Sequence, residues 1–403
     1  MKTFINKQNN HSYMLSDSEI KQVLSTYKIR SGIHRKDYTD EIINYIERKE
    51  ILILKGVRRC GKTTIMMQII KKMENCVYVN LDDYRFLGFL STELLEKVLQ
   101  LHLSKKKLYL FLDEIQNIQG FEKWLKTHYD MGTNVKFIIS GSNSSILSKD
   151  FSTLLTGRSI TFEILPLSFK EFQDFSKGGI REFLKYGGFP EVVLEKDEQR
   201  KRTLLMNYFD TIVEKDLVQK YDLTNHKQLK EMLKFIMLNP GIRISANKLS
   251  KQLGISINTI KSYLSLAENV YLIFEVPFFS FSAKTKFIGQ RVSKYYIIDS
   301  GFFHIFSIRN EESKLFENAV ALRFFDKRQN LYYWYGNNEV DFIIDGVAIN
   351  VVSSERVPKR EFLGLNEVKA KKKMIVGKKE NKSEGIYSLE HFLEDDALTQ
   401  FYQ

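Results

Sequence analysis

One short segment, GVRRCGKT at positions 56–63, constrains the fold of this chain more than any other. It fits the pattern of a phosphate-binding loop, which is Gly, four residues, and then Gly-Lys-Ser/Thr. The wholly apolar run at 51–54 is typical of a buried parallel strand, and apolar residues at helical spacing follow over 64–71. The loop is therefore expected between a strand and a helix, where backbone N–H groups and the positive end of the helix dipole face an anion. In such a loop Lys62 would reach the β- and γ-phosphates, and the Thr63 hydroxyl would take a Mg²⁺ coordination position.

A second apolar run, at 108–112, ends in two carboxylates, Asp113 and Glu114. A carboxylate at a strand end is placed to hold Mg²⁺ directly or through water, which is the role expected of Asp113. Glu114 comes one residue later and points elsewhere, so it is the candidate that orients or deprotonates the attacking water. The alternative is a helix N-cap followed by a solvated acid. The phosphate loop favours the first interpretation.

The composition excludes several classes of protein. The chain has 403 residues, 43% of them hydrophobic and only five of them proline, which is enough for two or three globular domains. Its two cysteines, Cys60 and Cys76, cannot build a disulfide framework, which favours a reducing, cytoplasmic compartment. The N-terminus lacks the apolar core of a signal peptide, and the longest apolar stretch, 270–281, is too short to span a membrane. The net charge of +12 points to a polyanionic partner, nucleic acid first.

Five apolar, strand-like runs alternate with helical segments early in the chain, at 51–54, 77–81, 108–113, 135–140 and 160–165. This alternation predicts an α/β fold with a parallel sheet, and nucleotide binds at the carboxyl ends of such strands. The fourth run leads into Ser142 and Asn143, and either residue is a candidate to face the γ-phosphate as a sensor. The alternative is that these residues belong to a loop without a role in nucleotide binding. Arg158, just before the fifth run, is placed to reach the γ-phosphate of a neighbouring subunit, with a surface salt bridge as the alternative.

The chain divides into five segments, beginning with an N-terminal arm, 1–34, and the nucleotide-binding core, 35–165. Positions 166–225 are helical, with aromatic residues spaced for packing, and we interpret them as a helical lid. Positions 226–285 contain a helix, a Gly254 turn, a second helix and a strand, the order of a winged helix-turn-helix. Winged helices bind DNA or dock proteins, and we favour DNA here. The exposed reading positions would then be Asn258, Thr259, Lys261 and Ser262.

The last segment, 286–403, contains a hairpin whose two apolar strands flank the sequence Asp-Gly at 345–346. Asp-Gly is a strong signal for a two-residue turn. Because side chains alternate along a strand, pairing about that turn fixes which of them share a face. Four side chains then lie on one face as two cross-strand pairs, Asp341 with Asn350 and Glu339 with Val352.

The order of these motifs resembles the bacterial and archaeal P-loop ATPases of the AAA+ or STAND-like group. The motifs are GVRRCGKTT, LYLFLDEIQ, FIISGSN, LLTGRS, ILPLSFKEF and GGFPEVV, and the resemblance extends from about Arg35 to the end. In that family the ATPase core is joined to a winged helix and to a C-terminal restriction-endonuclease-like domain of unknown function. The resemblance implies ATP and Mg²⁺, with Glu114, Lys62 and a trans-acting Arg158 in catalysis and Asp113 with Thr63 at the metal. It implies that ATP is bound at Gly56, Arg58, Arg59, Cys60, Gly61, Lys62, Thr63, Thr64 and Asn143.

The C-terminal domain of that family resembles the restriction-endonuclease core, whose metal site is an acid on a helix, an Asp on a strand and Glu-x-Lys on the next strand. Glu317 and Asp341 match the first two positions, but the third reads Asn350-Val351-Val352. Asn is a neutral, weaker metal ligand, and Val cannot supply the positive charge of Lys. We therefore interpret this domain as a degenerate nuclease fold that is used for binding or sensing.

Three hypotheses about function follow. The leading one is a Mg²⁺-dependent, ATP-hydrolysing switch or motor of the AAA+ type that acts on DNA or on a DNA-associated partner. A role for Arg158 across an interface would make it a homo-oligomer. The second is a nucleotide-gated signalling ATPase without a nucleic-acid role. The third, an ATP-dependent nuclease, is disfavoured by Asn350 and Val352.

Overall fold

The computed structural model describes residues 15–29, 32–141, 153–280, 292–307, 309, 311–326 and 329–394. The chain forms two compact units. The first comprises Met1–Lys55 and Lys62–Glu163, and the second comprises Gly56–Gly61 and Ile164–Gln403. Among the described residues, no helix combines the length and the apolar character that crossing a bilayer requires.

The first unit is built around a five-stranded sheet. Its strands run in the order β2-β3-β4-β1-β5, and every pairing is parallel. The five predicted strands and their parallel arrangement are confirmed, with ends that differ by one or two residues. This order brings the carboxyl ends of β3, β4 and β1 side by side. The bounds are β1 (Ile51–Lys55), β2 (Cys76–Asn80), β3 (Leu108–Asp113), β4 (Val135–Gly141) and β5 (Ser159–Glu163).

Helices of the first unit share a core with this sheet. Leu95 and Leu125, on two of the helices, are fully buried in one cluster with Leu110 of β3. The first helix begins with a capping box in which Ser16 and Glu19 each bond the other's backbone N–H. The bounds are α1 (Asp17–Ser25), α2 (Lys36–Ile43), α3 (Lys62–Ile70), α4 (Thr92–His102) and α5 (Phe121–Met131), with 3₁₀ turns at Tyr84–Phe86 and Ile115–Asn117.

The second unit begins with short helices, which confirms the helical pattern predicted for 166–225. Ser168 and Glu171 form a capping box at the first of them, and Pro190 occupies the first turn of the third. The rings of Phe172 and Phe183 pack with centroids 5.4 Å apart, as expected for aromatic residues that form a core. The helices are α6 (Phe169–Ser176), α7 (Ile180–Tyr186), α8 (Pro190–Leu194) and α9 (Glu198–Thr211), and α9 continues into a π-helical segment, Ile212–Gln219.

The predicted helix, Gly turn and helix are present in the next part of the chain. Gly254 adopts a left-handed φ of 67° and ends the first of these helices, and Ser256 caps the next. The strand predicted from position 270 begins only at Ile273, because Tyr271 has a φ of 58° that interrupts extended backbone. The elements are α10 (His226–Met237), β6 (Ile242–Arg243), α11 (Ala246–Leu253), α12 (Ile257–Asn269), β7 (Ile273–Val276) and β8 (Lys294–Ile297).

Strand β8 pairs in a way that the sequence analysis did not foresee. Its residues were predicted as the start of the last segment, yet they form an antiparallel sheet in the order β6-β8-β7. The sheet therefore joins residues on both sides of the predicted boundary at 285/286. The segment bounds themselves stay a prediction.

The last part of the chain contains a second five-stranded sheet, ordered β13-β12-β11-β10-β9. The predicted hairpin is confirmed: Phe342 pairs with Ile349, and the turn residues Asp345 and Gly346 have φ of 45° and 85°. The strands are β9 (Tyr332–Tyr335), β10 (Glu339–Ile344), β11 (Val347–Val351), β12 (Lys372–Gly377) and β13 (Ile386–Ser388). The helices are α13 (Gly301–Phe306), α14 (Glu312–Asp326), α15 (Lys359–Glu367) and α16 (Leu389–Glu394), with a 3₁₀ turn at Lys382–Glu384.

Candidate nucleotide-binding site

Asp113, at the end of β3, accepts hydrogen bonds from three hydroxyl groups of the first unit. Thr63 Oγ1 donates to Asp113 Oδ2 at 2.6 Å, and the Tyr78 hydroxyl donates to the same oxygen at 2.8 Å. Ser140 Oγ, at the end of β4, donates to the other carboxylate oxygen. The structure thus brings together Thr63 and Asp113, the two residues predicted to hold Mg²⁺.

The environment of Asp113 keeps its three donors in place. Asp113 is only 2% exposed, and burial together with the nearby charges of Asp113 and Glu114 raises the pKa of Tyr78 far above its ordinary value. Tyr78 therefore stays protonated and continues to donate.

A hydroxyl and a carboxylate oxygen within hydrogen-bond distance are also the hard oxygen ligands that Mg²⁺ takes in proteins. The residues present fit a phosphate-bound Mg²⁺, which Thr63 and Asp113 would hold.

The carboxylate of Glu114 has a different partner from the carboxylate of Asp113, although both residues contact Ser140. Its backbone adopts φ 56° and ψ 47°, a left-handed conformation that is uncommon outside glycine and clusters at functional sites. Its N–H donates to Ser140 Oγ at 3.1 Å, and its carboxylate accepts from the side chain of Gln116. Asp113 and Glu114 can therefore serve different purposes although they are adjacent in the chain.

The glycines of the phosphate loop are required by its geometry. A Cβ at Gly56, whose φ is 155°, would lie 1.9 Å from the backbone oxygen of Ile164. Gly61 has a φ of 99°, which side chains rarely adopt. Cys60 is fully buried, and its Sγ donates to the same Ile164 oxygen at 3.0 Å. The Cys60 side chain thus stabilises the loop, and any part it has in binding an anion falls to its backbone.

The other predicted nucleotide-binding residues have varied surroundings. Lys62 is 6% exposed and begins α3, whereas Thr64 in the same helix is half-buried. The side chain of Arg58 pairs with Asp216, and the Arg59 guanidinium lies 5.8 Å from the centroid of the Tyr208 ring. Ser142 and Asn143, the two candidate sensors, lie outside the described residues.

Comparison with known proteins agrees with the fold of the first unit. Residues 48–173 match a family described as AAA domain, and residues 178–313 match one described as Domain of unknown function (DUF8612). An uncharacterized protein of Methanocaldococcus jannaschii is 36% identical over 327 residues, which cover 74% of this chain and 72% of that protein. An uncharacterized protein of Haemophilus influenzae is 30% identical over 295 residues, which cover 68% and 73%. The chain belongs to the family of these two proteins and carries an AAA domain.

A solved structure shows a similar fold. The Walker-type ATPase of Pyrococcus abyssi superposes with a TM-score of 0.52 at 16% identity, covering 70% of this chain and 99% of that one. At this identity the likeness concerns the fold alone. The predicted α/β fold is confirmed, and the AAA domain match over residues 48–173 agrees with the predicted AAA+/P-loop class.

Arg158 of this AAA-domain protein has a partner within its own subunit. Its Nε donates to Asp130 Oδ1 at 2.9 Å, and its guanidinium lies 6.0 Å from the centroid of the Tyr129 ring. The side chains of Arg158 and Asp130 are 30% and 40% exposed. This is the surface salt bridge that the sequence left open as an alternative. Exposed pairs of this kind are weak and separate readily, so the trans-acting role stays a prediction.

A second charged cluster lies in the last part of the AAA-domain protein, around Lys294. Its Nζ lies 2.7 Å from Glu317 Oε1, 2.6 Å from Glu339 Oε1 and 3.4 Å from Asp341 Oδ1. The lysine side chain is 4% exposed. The acids that the sequence compared with a nuclease metal site therefore share an ammonium group, which is donated by β8 and not by the hairpin.

The charges of this cluster depend on one another. Burial alone lowers the pKa of Lys294, but Glu317, Tyr296, Asp341 and Glu339 outweigh it and raise that pKa well above the ordinary lysine value. Burial raises the pKa of Asp341 to about 7, and the charge of Glu317 adds to this rise. Lys294 therefore stays protonated and compensates the carboxylates.

Asn350, at the position where the nuclease pattern has its glutamate, has a structural role. It is fully buried, its Oδ1 accepts from the Asp341 N–H at 3.0 Å, and its Nδ2 donates to the Glu361 backbone oxygen at 2.9 Å. Val352 is also buried, and it packs in an apolar cluster with Val340. The prediction that Val352 shares a face with Asp341 is therefore wrong, because the pairing of β10 with β9 shifts register between positions 340 and 343. Both residues serve the packing of the hairpin.

Sequence reasoning missed Tyr78 and Ser140 as partners of Asp113. Ser140 gave a usable signal, because it is the first polar residue at the end of an apolar strand next to the phosphate loop strand. Tyr78 gave none, because a tyrosine inside an apolar strand is usually part of the core. Only the pairing of β2 with β3, which sets Tyr78 opposite Phe111, brings its hydroxyl to Asp113.

Proposed function

We propose that this protein binds and hydrolyses ATP with Mg²⁺ and uses that cycle as a switch or motor on DNA or a DNA-associated partner. The observation that carries the proposal is the 2.6 Å hydrogen bond from Thr63 to Asp113, formed by the residue that follows the loop lysine. The AAA domain match over residues 48–173 supports it. The Walker-type ATPase of similar fold supports hydrolysis as the reaction.

Each residue has a distinct task in this proposal. The ammonium of Lys62 and the loop N–H groups would bind the phosphates, and Thr63 with Asp113 would hold Mg²⁺. Bound Mg²⁺ would neutralise charge on the phosphate oxygens. Glu114, whose carboxylate is separate from Asp113, would orient the attacking water and accept its proton.

The DNA-binding part of the proposal assigns a winged helix-turn-helix to residues 226–285 and the sheet that continues into β8. Asn258, Lys261 and Ser262 are exposed on α12, and Thr259 is half-buried, while Ile260 faces the core. Residues 242–267 include four basic residues and no acidic one. Positive side chains on an exposed face favour contact with phosphates of nucleic acid. The basic residues are Arg243, Lys248, Lys251 and Lys261.

The proposal also includes assembly and location. Arg158 would act on the nucleotide of a neighbouring subunit, which requires a homo-oligomer. Neither of the two cysteines, Cys60 and Cys76, is in a disulfide, which supports a reducing cytoplasmic setting.

Two measurements on one preparation test the proposal. ATP hydrolysis is measured with and without duplex DNA, and DNA retardation is measured between 50 and 200 mM salt. We expect DNA to raise the hydrolysis rate and binding to fall steeply with salt, because phosphate contacts release counterions. Replacing Lys248, Lys251 and Lys261 by Ala should lower the magnitude of the salt slope by about three.

The matched control is Lys379→Ala, which removes an exposed lysine, 75% accessible, outside the helix-turn-helix. It should leave the salt slope and the hydrolysis rate unchanged. If the hydrolysis rate is the same with and without DNA, and the protein does not bind DNA in the retardation assay, the result would instead support a nucleotide-gated signalling ATPase. Absence of hydrolysis under all conditions would refute the ATPase assignment itself.

A further inference from the structure

The side chain of Arg58, in the phosphate loop, is held by an acid that is distant in sequence. Its Nε and Nη2 atoms donate to the two carboxylate oxygens of Asp216 at 3.1 and 2.9 Å, across a separation of 158 residues. A two-pronged pair of this kind is charge-assisted and geometrically specific. The Asp216 side chain is 9% exposed, so the pair is far less screened by solvent and salt than a surface pair.

Asp216 lies on a helical segment whose neighbouring side chains are buried. It lies in the middle of the π-helical segment Ile212–Gln219. Turns of π-helix are rare in proteins, and those that occur are often found at functional sites. Its neighbours Val213 and Leu217 are fully buried. Because buried neighbours hold this segment in place, the Asp216 carboxylate can restrain the Arg58 side chain.

The two residues after Arg58 are restrained as well. The Arg59 guanidinium lies 5.8 Å from the centroid of the Tyr208 ring. Tyr208 belongs to α9, the helix that leads into the π-helical segment. The Cys60 Sγ donates to the Ile164 backbone oxygen. Three consecutive residues of the phosphate loop are thus restrained through their side chains, and the Arg58 pair is the one that carries charge on both partners.

We propose that Asp216 is a positioning residue for nucleotide binding, acting through the Arg58 guanidinium to hold positions 56–61 in the phosphate-binding conformation. The inference rests on the proposed ATP binding. A phosphate loop binds with N–H groups that must converge on the anion, and a loop that adopts this conformation only part of the time binds more weakly by that fraction. Without Asp216 the loop loses its charged restraint, so nucleotide affinity falls.

The opposite role makes the opposite prediction. If Asp216 withheld Arg58 from the nucleotide, its removal would free a guanidinium for the phosphates and tighten binding. The direction of the affinity change therefore decides between positioning and withholding.

The test compares wild type with Asp216→Asn and Arg58→Lys. Asp216→Asn keeps the side-chain size and removes the charge, whereas Arg58→Lys keeps the charge and loses the two-pronged geometry. The readouts are the dissociation constant of a fluorescent ATP analogue, KM and kcat. We expect Asp216→Asn to weaken binding about ten- to hundredfold, as loss of a charge-assisted pair does. KM should rise in parallel, and kcat at saturating ATP should change far less, because Lys62 and Glu114 are untouched.

The matched control is Asp210→Asn. Asp210 precedes the π-helical segment and lies 3.6 Å from Lys230 in an exposed pair, so its loss should leave affinity unchanged. The charge swap Arg58→Asp with Asp216→Arg should bind the analogue more tightly than either single change. Without nucleotide, the amides of positions 56–61 should exchange hydrogen faster in Asp216→Asn than in wild type.

Unchanged or tighter binding by Asp216→Asn, with loop exchange equal to wild type, overturns the positioning role and leaves the proposed ATPase intact. Failure of wild type itself to bind the ATP analogue with Mg²⁺ refutes the proposed function and this inference with it. The two failures are therefore distinguished by the wild-type measurement alone.

Discussion

Replacing Lys294 by methionine removes the cation that Glu317, Glu339 and Asp341 share while keeping the apolar stem of the side chain. Removing one partner from a buried charge cluster usually costs about 3–5 kcal/mol of unfolding free energy. The three carboxylates retain 20%, 33% and 16% exposure, so we expect the lower end, about 3 kcal/mol. For a domain of about 150–250 residues, a loss of about 3 kcal/mol lowers the midpoint temperature of unfolding by about 6–12 °C.

Thermal unfolding at pH 7.5, with and without Mn²⁺ or Mg²⁺, measures this effect. In Lys294→Met the divalent cation should restore part of the lost stability, because hard oxygen ligands would regain a cation, and wild type should gain less stability from it. The loss should also shrink at pH 5, because burial raises the pKa of Asp341 to about 7 and its protonated carboxyl then repels the other two carboxylates less. Lys379→Met, which breaks an exposed pair, is the control and should shift the midpoint little. A Lys294→Met midpoint equal to that control, or equal stabilisation of wild type by Mn²⁺, would refute the reasoning.

Three further predictions concern other parts of the molecule. Arg158→Ala should lower turnover only in assembled subunits, and mixing it with Lys62→Ala should restore part of the activity; no recovery in subunits shown to mix counts against a trans role. Asp299 is buried and accepts from two backbone N–H groups, and burial raises its pKa to about 7. Because the folded state then holds the proton more tightly, Asp299 should make the unfolding free energy fall as the pH rises from about 4 to 7, by up to about 1.4 kcal/mol per pH unit. Asp299→Asn should make this slope shallower in urea unfolding and leave the part that comes from Asp341, whose pKa is also raised; parallel pH profiles of variant and wild type would contradict the prediction. The purified protein should not nick plasmid DNA over hours with Mg²⁺ or Mn²⁺, and nicking that Asp341→Ala abolishes would overturn the degenerate-nuclease interpretation.

The parts of the fold that follow from local pattern could be predicted from the sequence. The strand before the phosphate loop is an apolar run buried on both faces, and the turn at Asp345 is set by its own dipeptide, so both were identified. The pairing of Thr63 with Asp113 also followed, because both positions belong to patterns with a known spatial relation.

Contacts between residues that are distant in sequence could not be predicted in this way. Nothing near Arg58 indicates that its partner is Asp216, and nothing in the hairpin indicates that Lys294 enters its acidic cluster from another strand. Both contacts depend on how elements pack, which side-chain periodicity does not encode. The same reason explains why the strand containing Lys294 was assigned to the last segment, although it pairs with β7.

Mg²⁺-dependent phosphate release from ATP, measured beside ATP binding in wild type, Lys62→Ala and Glu114→Gln, tests the central claim most directly. The account predicts turnover in wild type, loss of binding in Lys62→Ala, and intact binding with turnover at least about 10²-fold slower in Glu114→Gln. Unaltered ATP affinity in Lys62→Ala, or wild-type turnover in Glu114→Gln, would contradict the assignment of the phosphate loop or of the catalytic base.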